Sequence, residues 1–306
     1  MCGIAGYIGE SKNLELSYKI ITNIFRNLES RGEDASGFWG TDYNDVYFFK
    51  NDMKSTNFVN TDQWKSLIGK NLKLLLLHSR KTSVGIGNSS FVKNNHPFVN
   101  YDKSIALTHN GRIYEYNYLK NKYYLESDCD SEVLLRIFEN NEDKLNAIKD
   151  IWSLIHRGHM AVAIGEISGN LWLFRNKYRT LCFIDIFDEL GQIFYVSSPE
   201  IWFNSVNEHI AKKSNLIEIS PNTLIKFHYN NFQIEKCQFF VDCSDNYKNL
   251  NMEYISPRKI HPINNLINKI KLDLDHINST FQFYDKESIE ELDSTLNKIN
   301  NIMKNI

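Results

Sequence analysis

Met1-Cys2-Gly3-Ile4-Ala5-Gly6, the opening of the chain, runs on through Tyr7 and Ile8 to Gly9 and decides how the rest is read. A methionine ahead of a small residue is normally trimmed, and trimming here frees the α-amine of Cys2. That amine has a reference pKa of about 7.7–8.0, so it takes up a thiol proton near neutral pH without help from a histidine. One residue then supplies both nucleophile and base. Gly3 and Gly6 let the backbone run close to a substrate and to a second packed layer. Cys2 to Ile8 itself reads as a short apolar strand. A lone Met-Cys pair carries little weight, because any chain can begin so; the case depends on segments further along the chain.

Outward from that strand the chain alternates helices and strands to about residue 240. Leu14, Leu16, Ile20, Ile21, Ile24, Phe25 and Leu28 recur at helical spacing. Ser36–Gly40 and Val46–Lys50 form a hairpin pattern around Tyr43-Asn44-Asp45. Leu72–His78 and Ile105–His109 read as buried strands, and 130–138 as a helix with Val133, Leu134 and Ile137 on its apolar stripe. Strand patterns resume over 160–167, 171–175, 181–184, 193–197, 223–227 and 232–236. Several are apolar at every position, so both faces need cover. That predicts sheets packed on each other and flanked by helices.

After Cys243 the composition turns polar, and 244–262 reads as a linker or extended arm ending in Ser256-Pro257 and His261-Pro262. Two helical patterns come next. One uses Ile263, Ile267, Ile270, Leu274 and Ile277. The other uses Ile289, Leu292, Leu296, Ile299, Met303 and Ile306, with a Ser288/Glu291 capping box at its start. Each spans about two heptads, too short to stand alone. They either pack on the main domain or serve self-association or partner binding. The expected division is therefore 2–243 and 244–306.

Composition narrows the function class. Of 306 residues, 42% are hydrophobic and 24% charged, and the net charge is -2. No electrostatic case exists for nucleic acid or an anionic membrane. Apolar runs such as Leu74–Leu77 are far too short to span a bilayer, and no signal peptide is evident; a cytoplasmic protein is expected. Five cysteines, an odd number without a CxxC pair, argue against a disulfide framework or zinc site. Cys129, Cys182 and Cys237 read as small buried apolar residues. No metal and no cofactor is expected, and no GxxxxGK[ST] loop is present.

The opening and the stretches Arg31–Gly37, His78–Gly85, Asn95–Phe98, His109–Gly111 and Ser127–Glu132, taken in that order, resemble segments of the class II glutamine amidotransferases, which have an N-terminal cysteine. The opening matches the family's start. Arg31-Gly32-Glu33-Asp34-Ala35-Ser36-Gly37 is similar to its RGxDxxG segment, and His78-Ser79-Arg80-Lys81-Thr82-Ser83-Val84-Gly85 to its HTRWATHG segment. Asn95-His96-Pro97-Phe98 and His109-Asn110-Gly111 are similar to NxHP and HNG, and Ser127-Asp128-Cys129-Asp130-Ser131-Glu132 to SDTDTE. Weaker likeness at Arg175-Asn176, Ser197-Ser198-Pro199-Glu200 and Ile219-Ser220-Pro221 extends it over about 2 to 230. The resemblance implies an α+β fold, the four-layer α/β/β/α sandwich of N-terminal nucleophile (Ntn) hydrolases.

It also implies roles. Cys2 attacks the side-chain amide of glutamine. Asn110 and the backbone N–H of Gly111 stabilise the oxyanion. Arg80, supported by Ser83, takes the α-carboxylate through its planar fork, and Asp130 takes the α-ammonium. Arg31 and Asp34 hold the loop beneath the nucleophile, and His78, His96 and His109 are structural. Taken singly, Arg80 also suits a structural ion pair and Asp130 a helix N-cap. Lys81 stands where many members have tryptophan and Val84 where many have histidine; Arg112 carries no implied role. Neither an SGGxDS loop nor a phosphosugar-isomerase domain is present, and only some 60 residues follow residue 243. The expectation is a stand-alone glutaminase delivering ammonia to a separate acceptor protein. A stand-alone amidase or peptidase on γ-glutamyl compounds and a catalytically silent binding module are the alternatives.

Overall fold

Alternation along single strands builds three apolar layers. In strand β1 (Gly3–Ile8) the side chains of Ile4 and Ile8 face one way and those of Ala5 and Tyr7 the other. The computed structural model describes residues 2–82, 87–114, 116–155, 158–229, 234–241, 247–249 and 253–255. β2 (Ala35–Thr41), β3 (Val46–Asn51) and β4 (Leu74–Arg80) follow, then β5 (Phe98–Val99), β6 (Ile105–Arg112), β7 (His159–Glu166) and β8 (Asn170–Arg175). β9 (Cys182–Ile186), β10 (Gln192–Val196) and β11 (Asn215–Glu218) precede β12 (Thr223–His228), β13 (Ile234–Val241), β14 (Tyr247–Asn249) and β15 (Glu253–Ile255).

Two antiparallel sheets result. The first has the order β11-β9-β10-β1-β4-β2-β3, with β1 at its centre; the second has β14-β13-β12-β8-β7-β6-β5, with β15 also on β13. Between the sheets, Ile4, Ile8, Trp39, Leu74 and Leu76 meet Ala106, Ala161, Ala163, Leu171 and Leu173. Large residues on one sheet face alanines on the other, which lets the layers approach closely. On the far face of the first sheet, Ala5, Tyr7, Leu75 and Leu77 pack on Ile20, Ile21, Ile24 and Phe25 of helix Leu14–Asn27. On the far face of the second, Leu107, Val162, Ile164 and Phe174 pack on Val133, Leu134 and Phe138 of helix Glu132–Glu139 and on Ile148, Ile151 and Trp152 of helix Lys144–Ile155. This is the four-layer α/β/β/α sandwich. The all-apolar β4 is explained: Leu74 and Leu76 serve one core, Leu75 and Leu77 the other.

Helix Leu14–Asn27 starts where expected, because Asn13 caps it by accepting from the Leu16 N–H at 3.0 Å. Helices Tyr116–Tyr123 and Lys144–Ile155, and strand β11, were not foreseen. Ala147, Ile148, Ile151 and Trp152 carry the helical spacing of the second, hidden among polar neighbours.

The chain divides into two compact units, 1–260 and 261–306. In the stretch read as a linker, 247–249 and 253–255 pair with β13. The two C-terminal helical patterns, Cys243, Ser83 and Val84 lie outside the described residues. Among the described residues, no helix is long and apolar enough to cross a membrane, and no group of histidine, cysteine and acidic residues is disposed to hold a metal ion.

Candidate active site

Register delivers the nucleophile. β1 and β4 are antiparallel with Gly3 opposite Ser79, so Cys2 emerges beside Arg80. The period-two alternation that turns Ile4 between the sheets turns Cys2 the same way, and Leu74, Leu76, His78 and Arg80 share that side of β4. Cys2, Arg80, Lys81, Gly111, Asp130 and Ser131 line one narrow cleft, together with His96, His109 and Cys129. Cys2, Arg80, Gly111 and Asp130 therefore converge, as expected. Asn110, the residue before Gly111 on β6, lies on the sheet-interface side of that strand with Ala106.

The Cys2 thiol lies on the backbone of Lys81. The Lys81 N–H donates to Sγ at 3.4 Å, and Sγ is 3.6 Å from the Lys81 carbonyl. Burial pushes the thiol pKa up, against the opposing pull of the Lys81 N–H and the Arg80 charge. A thiol held in its neutral form needs a base at hand.

The loop Arg31–Asp34 fixes that backbone. The Asp34 N–H donates to the Arg80 carbonyl at 2.9 Å, and its carboxylate accepts from the Thr82 N–H at 2.7 Å. Burial raises the pKa of Asp34, but the bonds from Thr82 and Lys81 outweigh it and the net shift is downward. A Cβ on Gly32 would sit 2.4 Å from the Arg80 carbonyl carbon, so this close approach admits only glycine. Lys81, at the family's tryptophan position, pairs with Glu33 at 3.2 Å and Asp34 at 3.3 Å. It borders both the inner cleft and an open outer cleft of about 830 Å³ that Arg26, Glu29, Arg31 and Glu33 also line.

Arg80 is buried. Its Nη1 donates to Asn95 Oδ1 at 2.6 Å and its Nη2 to the Gly87 carbonyl at 2.7 Å. These bonds pre-orient the fork. Asp130 does not cap the following helix, whose N-cap is Ser131. Its Oδ2 instead accepts from the Ile113 N–H at 2.8 Å, just beyond Gly111. Asn110 is 1% exposed, and its Nδ2 has no hydrogen-bond partner among the described residues. A buried orphan amide donor of this kind costs about 1–3 kcal/mol. A Cβ on Gly111 would lie 1.7 Å from the His159 carbonyl oxygen, so that residue too must be glycine.

The three histidines are held neutral. Burial pushes His78 down to about 3, and its Nε2–H donates to the His109 carbonyl at 3.1 Å. His96 stacks on it at 4.0 Å and is pushed well down by burial. His109 is lowered by burial too; its Nε2–H donates to the His159 carbonyl at 3.1 Å, which leaves Nδ1 to accept from Ser131 Oγ at 2.8 Å.

Residues that sequence reasoning missed support Arg80. Lys50 donates from Nζ to the Asn95 carbonyl at 2.6 Å and the Pro97 carbonyl at 3.2 Å, and burial pushes its amine down to about 8. Asn95 belongs to the segment similar to NxHP but carried no implied role. No local signal singled out Lys50, because its partners are 45 and 47 residues away.

A family model described as a glutamine amidotransferase domain matches residues 83–201, which include Asn110, Gly111 and Asp130. Curated relatives extend the likeness. The glutamine–fructose-6-phosphate aminotransferase of Oceanobacillus iheyensis is 28% identical over 186 residues, 58% of this chain and 29% of that protein. The putative asparagine synthetase [glutamine-hydrolyzing] 1 of Methanocaldococcus jannaschii is 31% identical over 175 residues, 56% and 27% of the two chains. The chain thus spans less than a third of the length of these relatives. The glutamine phosphoribosylpyrophosphate amidotransferase of B. subtilis shares the fold, with a TM-score of 0.59 at 16% identity over 77% of this chain and 48% of that one. Residues 83–201 thus match a glutamine amidotransferase domain in sequence, and the two-sheet sandwich is the fold of the B. subtilis amidotransferase.

Proposed function

We propose that the chain hydrolyses the side-chain amide of glutamine, with Cys2 as nucleophile and its own freed α-amine as base. The thiol proton passes to the α-amine as sulfur attacks the amide carbon. Asn110 Nδ2 and the Gly111 N–H take the oxyanion. The C–N bond then breaks and ammonia leaves with the proton. Water resolves the γ-glutamyl thioester to glutamate, returning the thiol. Asp130 receives the substrate's ammonium and the Arg80 fork its carboxylate. The buried Asn110 donor, which has no hydrogen-bond partner among the described residues, carries this reading. The ammonia goes to a separate acceptor protein, docked through residues 244–306, which also offer a route to self-association. The names of the aminotransferase and synthetase relatives support such a hand-off.

A second reading shares every one of these residues. Lys81 turned toward Glu33 and Asp34 leaves a wide outer cleft beside the nucleophile, which suits a γ-glutamyl amide with a leaving group larger than ammonia.

Glutamine turnover by chain whose mass shows Met1 removed, abolished in Cys2→Ala, is the expected result. Equal turnover by Cys2→Ala defeats both readings, and absence of turnover in the wild-type chain leaves the silent binding module. A pulldown that recovers no synthetase, with full activity in a chain cut after 243, removes the separate acceptor.

A further inference from the structure

We propose that Arg31 and Arg179 form a carboxylate-binding site at the mouth of the Cys2 cleft, on the leaving-group side, and that the favoured substrate is a γ-glutamyl amide whose amine portion is anionic. The proposal rests on the thiol-amidase reading and specifies its substrate class.

The two arginines approach Cys2 from separate loops, one ahead of β2 and one between β8 and β9. Arg31 packs on the residue after the nucleophile: a Cβ on Gly3 would lie 3.1 Å from Arg31 Cβ. Arg179 reaches in from the β8–β9 connection, where its Nη2 meets His159 Nδ1 at 2.9 Å and its Nη1 donates to the Tyr178 carbonyl at 3.0 Å. His159 is the residue whose carbonyl presses on Gly111 and accepts from His109. Arg179 is therefore anchored one residue from the oxyanion glycine's wall.

Among the described residues, neither guanidinium has a counter-ion. Arg31 makes no side-chain hydrogen bond or ion pair with them, and Arg179 bonds only a carbonyl and a neutral ring nitrogen. The Nε atoms of both are buried and unpartnered. The nearby carboxylates are engaged elsewhere. Glu29 holds Thr56 and Lys54, and Glu33 and Asp34 hold Lys81. Burial lowers the pKa of Arg179, and the charge of Arg31 lowers it further, while the Cys2 sulfur acts the other way. The two cations thus feel each other and the nucleophile. Half-buried like charges without an anion are costly, and a carboxylate offered to planar forks resolves the cost with directed, charge-assisted bonds.

Position sets which part of the substrate the anion belongs to. Asp130 and Arg80 line the inner cleft, Arg31 lines the outer one, and Lys81 borders both. The glutamyl end lies inward and the amine portion outward. Sulfur attacks the γ-carbonyl, the C–N bond breaks, and the amine departs with the thiol's proton and its own anionic group. Water then releases glutamate from the thioester, so one amide and one water give one amine and one glutamate. Ammonia from glutamine has nothing for the two arginines to touch, which makes glutamine a truncated substrate.

The test compares γ-glutamylglycine with γ-glutamylglycinamide, which differ in one charge, on the full chain with Met1 removed. The expected kcat/KM preference for the anionic compound is about 10- to 100-fold. It collapses toward one in Arg179→Gln and in Arg31→Gln, and returns in part in Arg179→Lys. Glutamine hydrolysed with no preference between the two peptides overturns the anion site and leaves the amidase reading standing. So does a preference that survives both glutamine substitutions. Turnover of neither peptide nor of glutamine overturns both.

Discussion

Asn110 tests the chemistry at the scale of one residue. Its Nδ2 is buried without a partner among the described residues, so Asn110→Leu removes a desolvated donor rather than a bond. We expect kcat to fall about 100- to 1000-fold while the thermal midpoint holds or rises. A midpoint drop with unchanged kcat would instead make Asn110 structural. His78 tests burial. Its folded pKa, pushed down to about 3, lies below the 6.5 of an exposed imidazole, so the unfolded chain binds the extra proton between those values. Stability is therefore full above about pH 6.5 and drains as pH falls toward 3. Thermal midpoints of His78→Asn across that range should show a shallower acid slope than wild type; an identical slope would mean that His78 titrates normally.

Two elements position the site through short loops. The Arg31–Asp34 loop lies on the exit of β4, and the Cβ of Gly32→Ala would strike the Arg80 and Lys81 backbone at 2.4 and 2.6 Å. Because the Lys81 N–H is the donor on Cys2 Sγ, the displacement reaches the nucleophile. Activity should drop by at least about 100-fold, as for other misplacements of about 1 Å, with the far-ultraviolet spectrum retained. Full activity would show that the loop yields without moving β4. The segment ahead of helix Glu132–Glu139 depends on Glu132, 2% exposed, which accepts from Ser127 N–H at 2.7 Å and pairs with Arg136 at 2.7 Å. Glu132→Leu leaves Arg136 short of a partner and Asp130's approach unanchored. It should cost roughly 3–5 kcal/mol in denaturant unfolding, as breaking buried pairs does; a loss below about 1 kcal/mol would place the anchor elsewhere.

Across the molecule as a whole, the sandwich exists because two sheets share one interior face. Ala106, Ala161 and Ala163 are fully buried against Ile4, Leu74 and Leu76. Overpacking such a seam typically costs about 1–3 kcal/mol. Ala163→Leu should separate the sheets at the end where Cys2 and Gly111 meet and so lower both stability and glutamine turnover. A variant that loses stability at unchanged kcat/KM would show that the site is insulated from the seam.

The order of amino acids was enough to single out four residues that the fold gathers at one cleft. Cys2, Arg80, Gly111 and Asp130 were legible because nucleophile, fork, tight backbone and acid each demand one residue type, and their segments run in order. It was also enough to show that β4 is covered on both faces, since four successive leucines leave no polar side. The local order of the chain did not contain the partners. Lys50 serves Arg80 through Asn95, and Arg179 stands by Gly111 through His159, across separations no periodicity encodes. Folding of the two sheets settled that, among the described residues, Arg31 and Arg179 end without a counter-ion and Asn110 Nδ2 without an acceptor. Burial and charge balance belong to the assembled space around a side chain, and antiparallel register assembles that space from distant stretches of chain.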